Sequence, residues 1–217
     1  MKRVLLSWSS GKDSAWSLHV LRQDPQVQVV GLLTTFNEAV DRVAMHAVRH
    51  DIVRAQAAAA GLPLWPVMIP SPCPNEIYEQ RMQAAMDEAR AKGVTHVAFG
   101  DLFLEDVRRY REERLAPTGI LPLFPLWGRP TAELAREMIN GGLRATITCV
   151  DPRQLDPSFA GRQFETASFP EGVDPCGERG EFHTCVTAGP MFAHPLETKA
   201  GDIVERDGFV FCDVCAL

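Results

Sequence analysis

A short apolar run near the start of the chain breaks into a turn of small polar residues and then continues with a helical pattern. Residues 4–6 are typical of a buried strand, residues 7–14 form the turn, and residues 15–21 continue as a helix. The first turn of such a helix presents unpaired backbone N–H groups and the positive end of the helix dipole to an anion. This order restricts the chain to folds that place helices against a sheet, and it predicts a phosphate site at the turn.

The side chains of the turn suit a nucleotide. Lys12 supplies a positive charge, and Asp13 suits a site in which Mg²⁺ lies between the carboxylate and the phosphates. Asp13 also occupies the position where a Walker A motif requires Ser or Thr, so the turn is of another type. Six residues are candidate nucleotide-binding residues: Ser9, Ser10, Gly11, Lys12, Asp13 and Ser14.

Composition excludes several classes of protein. The 217-residue chain carries a net charge of −6, and an acidic chain is a poor candidate for an extended nucleic-acid surface, which depends on clustered Lys and Arg. No apolar run approaches the roughly 18 to 20 residues that span a bilayer, and no secretory signal precedes the first strand. From these two observations we expect no membrane association and a cytoplasmic protein. The six cysteines are spread thinly over the chain, so we expect reduced thiols.

Three more strand patterns follow, separated by helical patterns, which favours a doubly wound parallel sheet. Gly100 and Asp101 follow the fourth strand, where open α/β sheets bind ligands. His46 follows the second strand and is either a substrate contact or a surface histidine. The proline-rich segment 117–130 is expected to leave this domain, so we predict domains at residues 1–128 and 129–217.

Segment 104–114 is densely charged with both signs. We interpret it as a solvated helix with i,i+4 ion pairs, although Arg108 or Arg111 could reach nucleotide phosphates.

A second polar cluster, at residues 174–185, leaves three interpretations open. It is a substrate loop whose carboxylates hold an amine or ammonia, a hydrogen-bonded turn without chemistry, or a metal site. The metal site would use Cys176, His183 and Cys185, with Cys212 and Cys215 as further candidates at a C-terminus that we expect to fray. The cysteine spacing is loose for zinc, which usually shows two tight pairs.

Both polar clusters resemble one known family. The first turn is similar to the Ser-Gly-Gly-x-Asp-Ser loop of the PP-loop ATP pyrophosphatases, with Ser10 in place of the second position's glycine, which restricts positive φ. About 165 residues later, Asp-Pro-Cys precedes Gly-Glu-x-Gly-Glu-Phe-x-Thr, as in the diphthine–ammonia ligase family of PP-loop proteins. Further matches, which extend the resemblance over about residues 3–192, are Gly100-Asp101 with the charged helix, Glu133-Leu134 with Met138-Ile139, and Gly161-Arg162.

The resemblance implies a Rossmann-like (HUP-type) α/β domain with helices on both faces of a parallel sheet, followed by a smaller C-terminal α+β domain. It implies a ligase that uses ATP and Mg²⁺ to adenylate a carboxylate, releases pyrophosphate, and lets ammonia displace AMP. In the ligase itself the carboxylate belongs to diphthine on elongation factor 2.

The resemblance also implies roles for individual residues. The six turn residues hold the pyrophosphate, with Lys12 and Asp13 catalytic and Asp13 a metal ligand, and Gly100 and Asp101 line the nucleotide crevice. Glu178 or Glu181 takes the proton of ammonia. The expected substrate side consists of His46, Cys176, Glu178, Glu181, His183 and Thr184.

Alternatives remain at this point. Diphthine is limited to archaea and eukaryotes, so a bacterial relative would need another carboxylate. Cys212-x-x-Cys215 is the argument for a PP-loop sulfurtransferase acting on tRNA. A sensor that binds ATP without turnover is the alternative outside enzymes, and the sequence leaves a homodimer open.

Overall fold

The computed structural model describes residues 1–38, 42–43, 48–165 and 169–217. His46 lies outside the described residues. The strands are β1 (Lys2–Ser7), β2 (Val27–Asn37), β3 (Arg42–Val43), β4 (Leu64–Ile69), β5 (His96–Ala98), β6 (Leu121–Leu123), β7 (Arg144–Val150), β8 (Phe182–Ala188), β9 (Thr198–Arg206) and β10 (Phe209–Ala216). The helices are α1 (Lys12–Gln23), α2 (His50–Ala60), α3 (Asn75–Ala91), α4 (Glu105–Leu115) and α5 (Thr131–Asn140). Two short 3₁₀ turns cover Ala116–Thr118 and Pro157–Phe159.

The N-terminal sheet has parallel strands in the order β4-β2-β1-β5-β6, and the short β3 pairs antiparallel with the end of β2. The chain builds outward from β1 to one side through β2 and β4, and to the other side through β5 and β6. The strand order therefore reverses between β1 and β5, which is where sheets of this kind bind ligands. The Rossmann-like prediction is confirmed.

Neighbouring residues of β1 enter different parts of the core because side chains alternate along a strand. Leu6 packs in a cluster with Leu18 of α1 and Ile52 of α2. Leu5 packs in a second cluster with Met86 of α3 and Leu115 of α4. Helices therefore cover both faces of the parallel sheet, as the sequence predicts.

The sheet has one parallel strand more than the four that the sequence predicts. The proline-rich segment expected to leave the domain contains β6, which pairs in parallel with β5. Pro122 lies in the middle of β6, and a proline is tolerated there because β6 ends the strand order, so no further ladder needs its missing N–H. β6 therefore belongs to the N-terminal sheet and lies inside the predicted domain of residues 1–128, whose boundary remains a prediction.

The C-terminal part forms an antiparallel sheet in the order β8-β7-β10-β9. β10 lies between β7 and β9, so the end of the chain is an inner strand of this sheet. Cys212 is buried within it, and the expectation of a frayed C-terminus was wrong. The first core cluster also includes Ile147 and Val186 from this sheet, so the two halves of the chain share one hydrophobic core.

No helix in the described ranges combines the length and the apolar character needed to cross a bilayer.

Candidate active site

A cavity of about 430 Å³ lies at the carboxyl ends of β1 and β5, where the strand order reverses. The loop after β1 and the first turn of α1, residues 8–14, which we call the first loop, contribute Ser9, Gly11, Lys12, Asp13 and Ser14 to its lining. The segment after β5 contributes Gly100 and Asp101, and the C-terminal half contributes Cys176, Glu178, His183 and Thr184. The fold therefore brings together both polar clusters that the sequence singles out.

Two residues that the sequence predicts for the site do not line this cavity. Ser10 and Glu181 are buried and are absent from the described residues that line the cavity.

Lys12 is buried, with 2% of its surface exposed. Its ammonium group lies 2.8 Å from Asp13 Oδ2 and also donates a hydrogen bond to the carbonyl oxygen of Cys176. Burial lowers the pKa of Lys12, but Asp13 and the other nearby acids outweigh that effect and raise the pKa above its usual value. Lys12 therefore carries a positive charge at neutral pH and joins the first loop to the C-terminal half of the chain.

Backbone contacts hold the first loop against β8. The N–H of Lys12 donates to Thr184 Oγ1 at 3.1 Å, and the N–H of Val186 donates to the carbonyl oxygen of Ser10 at 2.9 Å. A Cβ at Gly11 would lie only 3.2 Å from the carbonyl oxygen of Thr184. The glycine thus allows close contact between the loop and β8.

Gly100 allows a similar approach from the other side. A Cβ at this position would lie 3.0 Å from the backbone of both Asp13 and Ser14. The end of β5 therefore packs directly on the first turn of α1, and any larger residue at position 100 would displace the loop. The neighbouring Asp101 lies on the cavity surface, with Oδ2 at 3.4 Å from Arg111 Nε.

Gln56 is a buried residue of this site that sequence reasoning missed. Its side-chain oxygen accepts a hydrogen bond from Trp8 Nε1 at 2.9 Å, and its amide nitrogen donates to the carbonyl oxygens of Ser10 at 3.1 Å and Val186 at 2.8 Å. One side chain of α2 therefore connects two residues of the first loop, Trp8 and Ser10, with β8. A single glutamine in an alanine-rich helix carries no motif that would have identified it.

The two glutamates of the second cluster have different surroundings. Glu178 lines the cavity, and its Oε1 accepts a hydrogen bond from the N–H of Leu102 at 2.8 Å. Burial raises the pKa of Glu178 to about 7. This carboxyl group is therefore able to exchange a proton near neutral pH.

Glu181 instead organises its own loop. Its two carboxylate oxygens accept hydrogen bonds from the N–H groups of Asp174 and Arg179, each at 3.0 Å. The side chain is buried, and these contacts hold residues 174–181 in one conformation. Sequence reasoning treats the two glutamates alike because both occur in the same short motif.

His183 and Cys176 are uncharged at neutral pH. Burial lowers the pKa of His183 to about 4, and the nearby Lys12 charge adds to the effect. Burial raises the pKa of Cys176 to about 12, and its thiol donates to the carbonyl oxygen of Thr131 at 3.4 Å. Cys176 is therefore a protonated thiol and a poor nucleophile.

A comparison with protein families matches residues 1–119 to the diphthamide synthase N-terminal domain. It matches residues 130–214 to the diphthamide synthase C-terminal domain. The chain belongs to the diphthamide synthase family. The cavity lies where these two parts meet, since both the loop after β1 and the segment before β8 line it.

Curated relatives within this family align over nearly the whole chain. The diphthine–ammonia ligase of Danio rerio is 28% identical over 236 aligned residues, which cover 98% of this chain and 92% of the relative. That of Homo sapiens is 25% identical over 240 residues, covering 99% and 90%. That of Schizosaccharomyces pombe is 25% identical over 231 residues, covering 97% of this chain and 38% of a longer protein.

The family match confirms the predicted resemblance. Diphthine–ammonia ligases are ATP-dependent amide-forming enzymes, so the match supports the ligase interpretation over a tRNA sulfurtransferase or an ATP sensor.

Asp13 offers a carboxylate oxygen that fits a magnesium ion. Its Oδ1 is buried and has no hydrogen-bond partner within the described ranges, whereas Oδ2 faces Lys12. Mg²⁺ commonly binds one or two protein carboxylates together with phosphate oxygens, so this carboxylate oxygen suits it if the first loop binds phosphate. Residues 1–38, 42–43, 48–165 and 169–217 contain no group of three or more His, Cys, Asp or Glu side chains placed to hold a metal, so they do not form the zinc site that was left open.

Proposed function

We propose that this protein uses ATP to adenylate a carboxylate and passes the acyl group to ammonia, forming an amide, AMP and pyrophosphate. The observation that carries this proposal is that one cavity contains both the cationic loop of Lys12 and the carboxyl group of Glu178. Family membership supports the same reaction class.

The first loop would bind the β- and γ-phosphates. The N-terminus of α1 supplies backbone N–H groups, Lys12 supplies positive charge, and the hydroxyl groups of Ser9 and Ser14 face the same cavity. Asp13 would hold Mg²⁺, which neutralises negative charge on the phosphates when it is bound. These groups stabilise the charge that develops as pyrophosphate leaves.

The reaction has two transfers. An oxygen of the acceptor carboxylate attacks the α-phosphorus of ATP, and the bond from that phosphorus to the bridging oxygen breaks, so pyrophosphate leaves. The nitrogen of ammonia then attacks the acyl carbon, and AMP leaves with the electrons of the broken C–O bond. Glu178 accepts the proton that the nitrogen loses, which a carboxyl group with a pKa of about 7 does efficiently at neutral pH.

The remaining residues position these groups. Thr184 holds the backbone of the first loop, and Glu181 holds the loop that carries Glu178. Neutral His183 and Cys176 form an uncharged part of the wall on the acceptor side. We divide the chain after residue 128 into an ATP-binding part and an acceptor part.

The proposed acceptor is diphthine on elongation factor 2, by analogy with the named relatives. The reaction would then take place in the cytoplasm, where elongation factor 2 acts. A different carboxylate is required if the source lacks diphthine.

The test uses purified protein, ATP labelled at the α-phosphate, ammonium chloride and elongation factor 2 that carries diphthine. We expect AMP and pyrophosphate in equal amounts, only when the acceptor is present. A Lys12→Ala variant should lose this activity, since it lacks the cation of the phosphate site. ADP and orthophosphate as main products would contradict the proposal.

A further inference from the structure

A second cavity, of about 460 Å³, lies between α3 and α4. We call it the α3–α4 cavity. Three glutamates line it, Glu76, Glu79 and Glu113, together with the rings of Tyr78 and Tyr110. Its volume lies in the range of small-molecule sites, and the reaction described above assigns no role to these five residues.

The α3–α4 cavity adjoins the cavity at the carboxyl ends of β1 and β5, which we call the β1–β5 cavity. Two side chains, Phe99 and Arg111, line both cavities. A group bound between α3 and α4 therefore lies next to the proposed ATP site, where part of the acceptor must lie as its carboxylate reacts.

The arginines that line the α3–α4 cavity already have carboxylate partners. Arg111 Nε lies 3.4 Å from Asp101 Oδ2, and Arg114 pairs with Glu79 at 2.6 Å. Glu76 and Glu113 are exposed, and neither forms an ion pair within the part of the chain that the structure describes. The lining therefore carries two uncompensated carboxylates, which favour a cation in this cavity.

The aromatic rings of the cavity also suit a cation. The guanidinium groups of Arg111 and Arg114 lie 4.7 Å and 5.3 Å from the centres of the Phe99 and Tyr110 rings. Among the described residues, no cation lies over the ring of Tyr78, which is the third ring of the lining. Its face is therefore free for a cation–π contact with a ligand.

The apolar part of the lining selects the kind of cation. Met82, Met86 and Leu115 line the same space, and contact with them would strip water from a metal ion or a primary ammonium group, which are strongly hydrated. The glutamates of the cavity also form no metal-binding group among the described residues. A methylated ammonium group fits better, because its charge is spread beneath an apolar surface.

We propose that the α3–α4 cavity binds a methylated ammonium group of the acceptor, with Glu76 and Glu113 supplying negative charge and Tyr78 supplying an aromatic face. This inference rests on the proposed function, and it adds a chemical class: a substrate that carries an organic cation as well as the carboxylate that reacts.

The first test measures binding without turnover, by NMR titration at low salt. Its probe is choline, and its control is 3,3-dimethyl-1-butanol, which has the same shape with carbon in place of the charged nitrogen. We expect choline to bind with a dissociation constant of about 1 mM and the alcohol to bind at least about fivefold more weakly.

Variants locate the choline site. The Glu76→Gln, Glu113→Gln double variant should weaken choline about fivefold and leave the alcohol unchanged, because only the cation loses its countercharges. Tyr78→Leu should weaken choline about threefold or more, whereas Tyr78→Phe should stay within about twofold because it keeps the ring. Glu105→Gln is the matched control, since Glu105 is exposed on α4 and lines neither cavity.

The second test uses turnover with elongation factor 2 that carries diphthine. The Glu76→Gln, Glu113→Gln double variant should raise the KM for this acceptor about fivefold. Its affinity for a non-hydrolysable ATP analogue, measured by isothermal titration calorimetry, should stay within about twofold. Choline should inhibit turnover in competition with the acceptor and not with ATP.

The results separate the two proposals. Choline that fails to bind, binds no better than the alcohol, or binds equally to wild type and the double glutamate variant overturns the inference even if the enzyme forms amides. Choline that binds the cavity without competing with the acceptor also overturns it. A protein that binds choline through Glu76, Glu113 and Tyr78 yet releases no pyrophosphate supports the cation site and contradicts the proposed reaction.

Discussion

The side-chain amide of Gln56 donates a hydrogen bond to the carbonyl oxygen of Ser10 at 3.1 Å. Ser10 has a φ of 69°, in the left-handed region that a non-glycine residue enters at a cost of about 1–2 kcal/mol. Its carbonyl group also accepts a bond from Val186. These two bonds fix a backbone conformation that serine disfavours, and they do so in the loop that is proposed to bind phosphate.

We therefore predict that Gln56→Leu weakens both the fold and ATP binding. The change leaves Trp8 Nε1 and two carbonyl groups without this partner, so the free energy of unfolding should fall by about 3 kcal/mol or more. Affinity for an ATP analogue should fall about tenfold. Denaturant titration and calorimetry measure the two effects, and Gln23→Leu, at an exposed position of α1, is the control.

Ser10→Gly should restore part of the lost affinity in the Gln56→Leu background. Glycine adopts a positive φ without the steric cost of a Cβ, so the loop needs less help from Gln56. If Ser10→Gly changes the affinity for the ATP analogue equally in the wild-type and Gln56→Leu proteins, the two residues are not coupled through backbone strain.

Glu178 should control the pH dependence of amide formation. Because burial raises its pKa to about 7, the rate at saturating ammonia should increase about tenfold between pH 6 and pH 8, as the carboxylate forms. Glu178→Gln should lower the rate about 100-fold and remove this rise, while ATP-analogue affinity stays within about threefold. A retained pH profile in the variant would assign the proton transfer to another group.

The same residue makes a prediction about stability. The pKa of Glu178 is raised above its usual value of 4.5, so the folded state favours the protonated carboxyl group. This contribution to stability is fully present below pH 4.5 and is lost as pH rises through about 7. The free energy of unfolding of Glu178→Gln should therefore rise relative to that of wild type as the pH increases from 5 to 8. Urea unfolding at each pH measures this difference. Glu171→Gln, which changes an exposed glutamate, is the control.

Glu181→Gln should act on loop structure. An amide in place of the carboxylate keeps one acceptor but loses the other, so one of the N–H groups of Asp174 and Arg179 loses its partner at a cost of about 1–3 kcal/mol. Hydrogen exchange should become faster in residues 174–181. Unchanged exchange combined with a pure loss of turnover would instead place Glu181 in the chemistry.

Cys212 and Cys215 should be dispensable for turnover. Neither lines the cavity at the carboxyl ends of β1 and β5, and Cys212 is buried in β10 with a raised pKa caused by burial. We expect the Cys212→Ala, Cys215→Ser double variant to keep its rate of AMP formation within about twofold, since reactivity of a thiol requires an accessible thiolate. Loss of activity in a folded double variant would favour sulfur transfer.

Local patterns were enough to predict much of this molecule. The strand, turn and helix around Lys12 follow from residues that are adjacent in sequence, and the position of Asp101 follows from the rule that parallel strands end at one edge. Gln56 could not be predicted, because its hydrogen bonds reach segments up to 130 residues away.

Arg111 was ambiguous for a related reason. Its neighbour Arg108 forms with Glu112 the i,i+4 pair expected of a solvated helix. Arg111 instead faces Asp101, which follows β5, and this contact depends on how the helix packs. The difference between Glu178 and Glu181 likewise arises from the direction of each side chain in a loop that turns at Gly180.

The contacts from the C-terminal half to the first loop affect how the protein is made. Lys12 obtains its partners 164 and 172 residues later in the chain, at Cys176 and Thr184. The ribosome therefore synthesises the first loop long before the segment that holds Cys176 and Thr184. The nascent chain therefore carries an incomplete form of the proposed ATP site until Cys176 and Thr184 are synthesised. A chain released before that point is not expected to consume ATP.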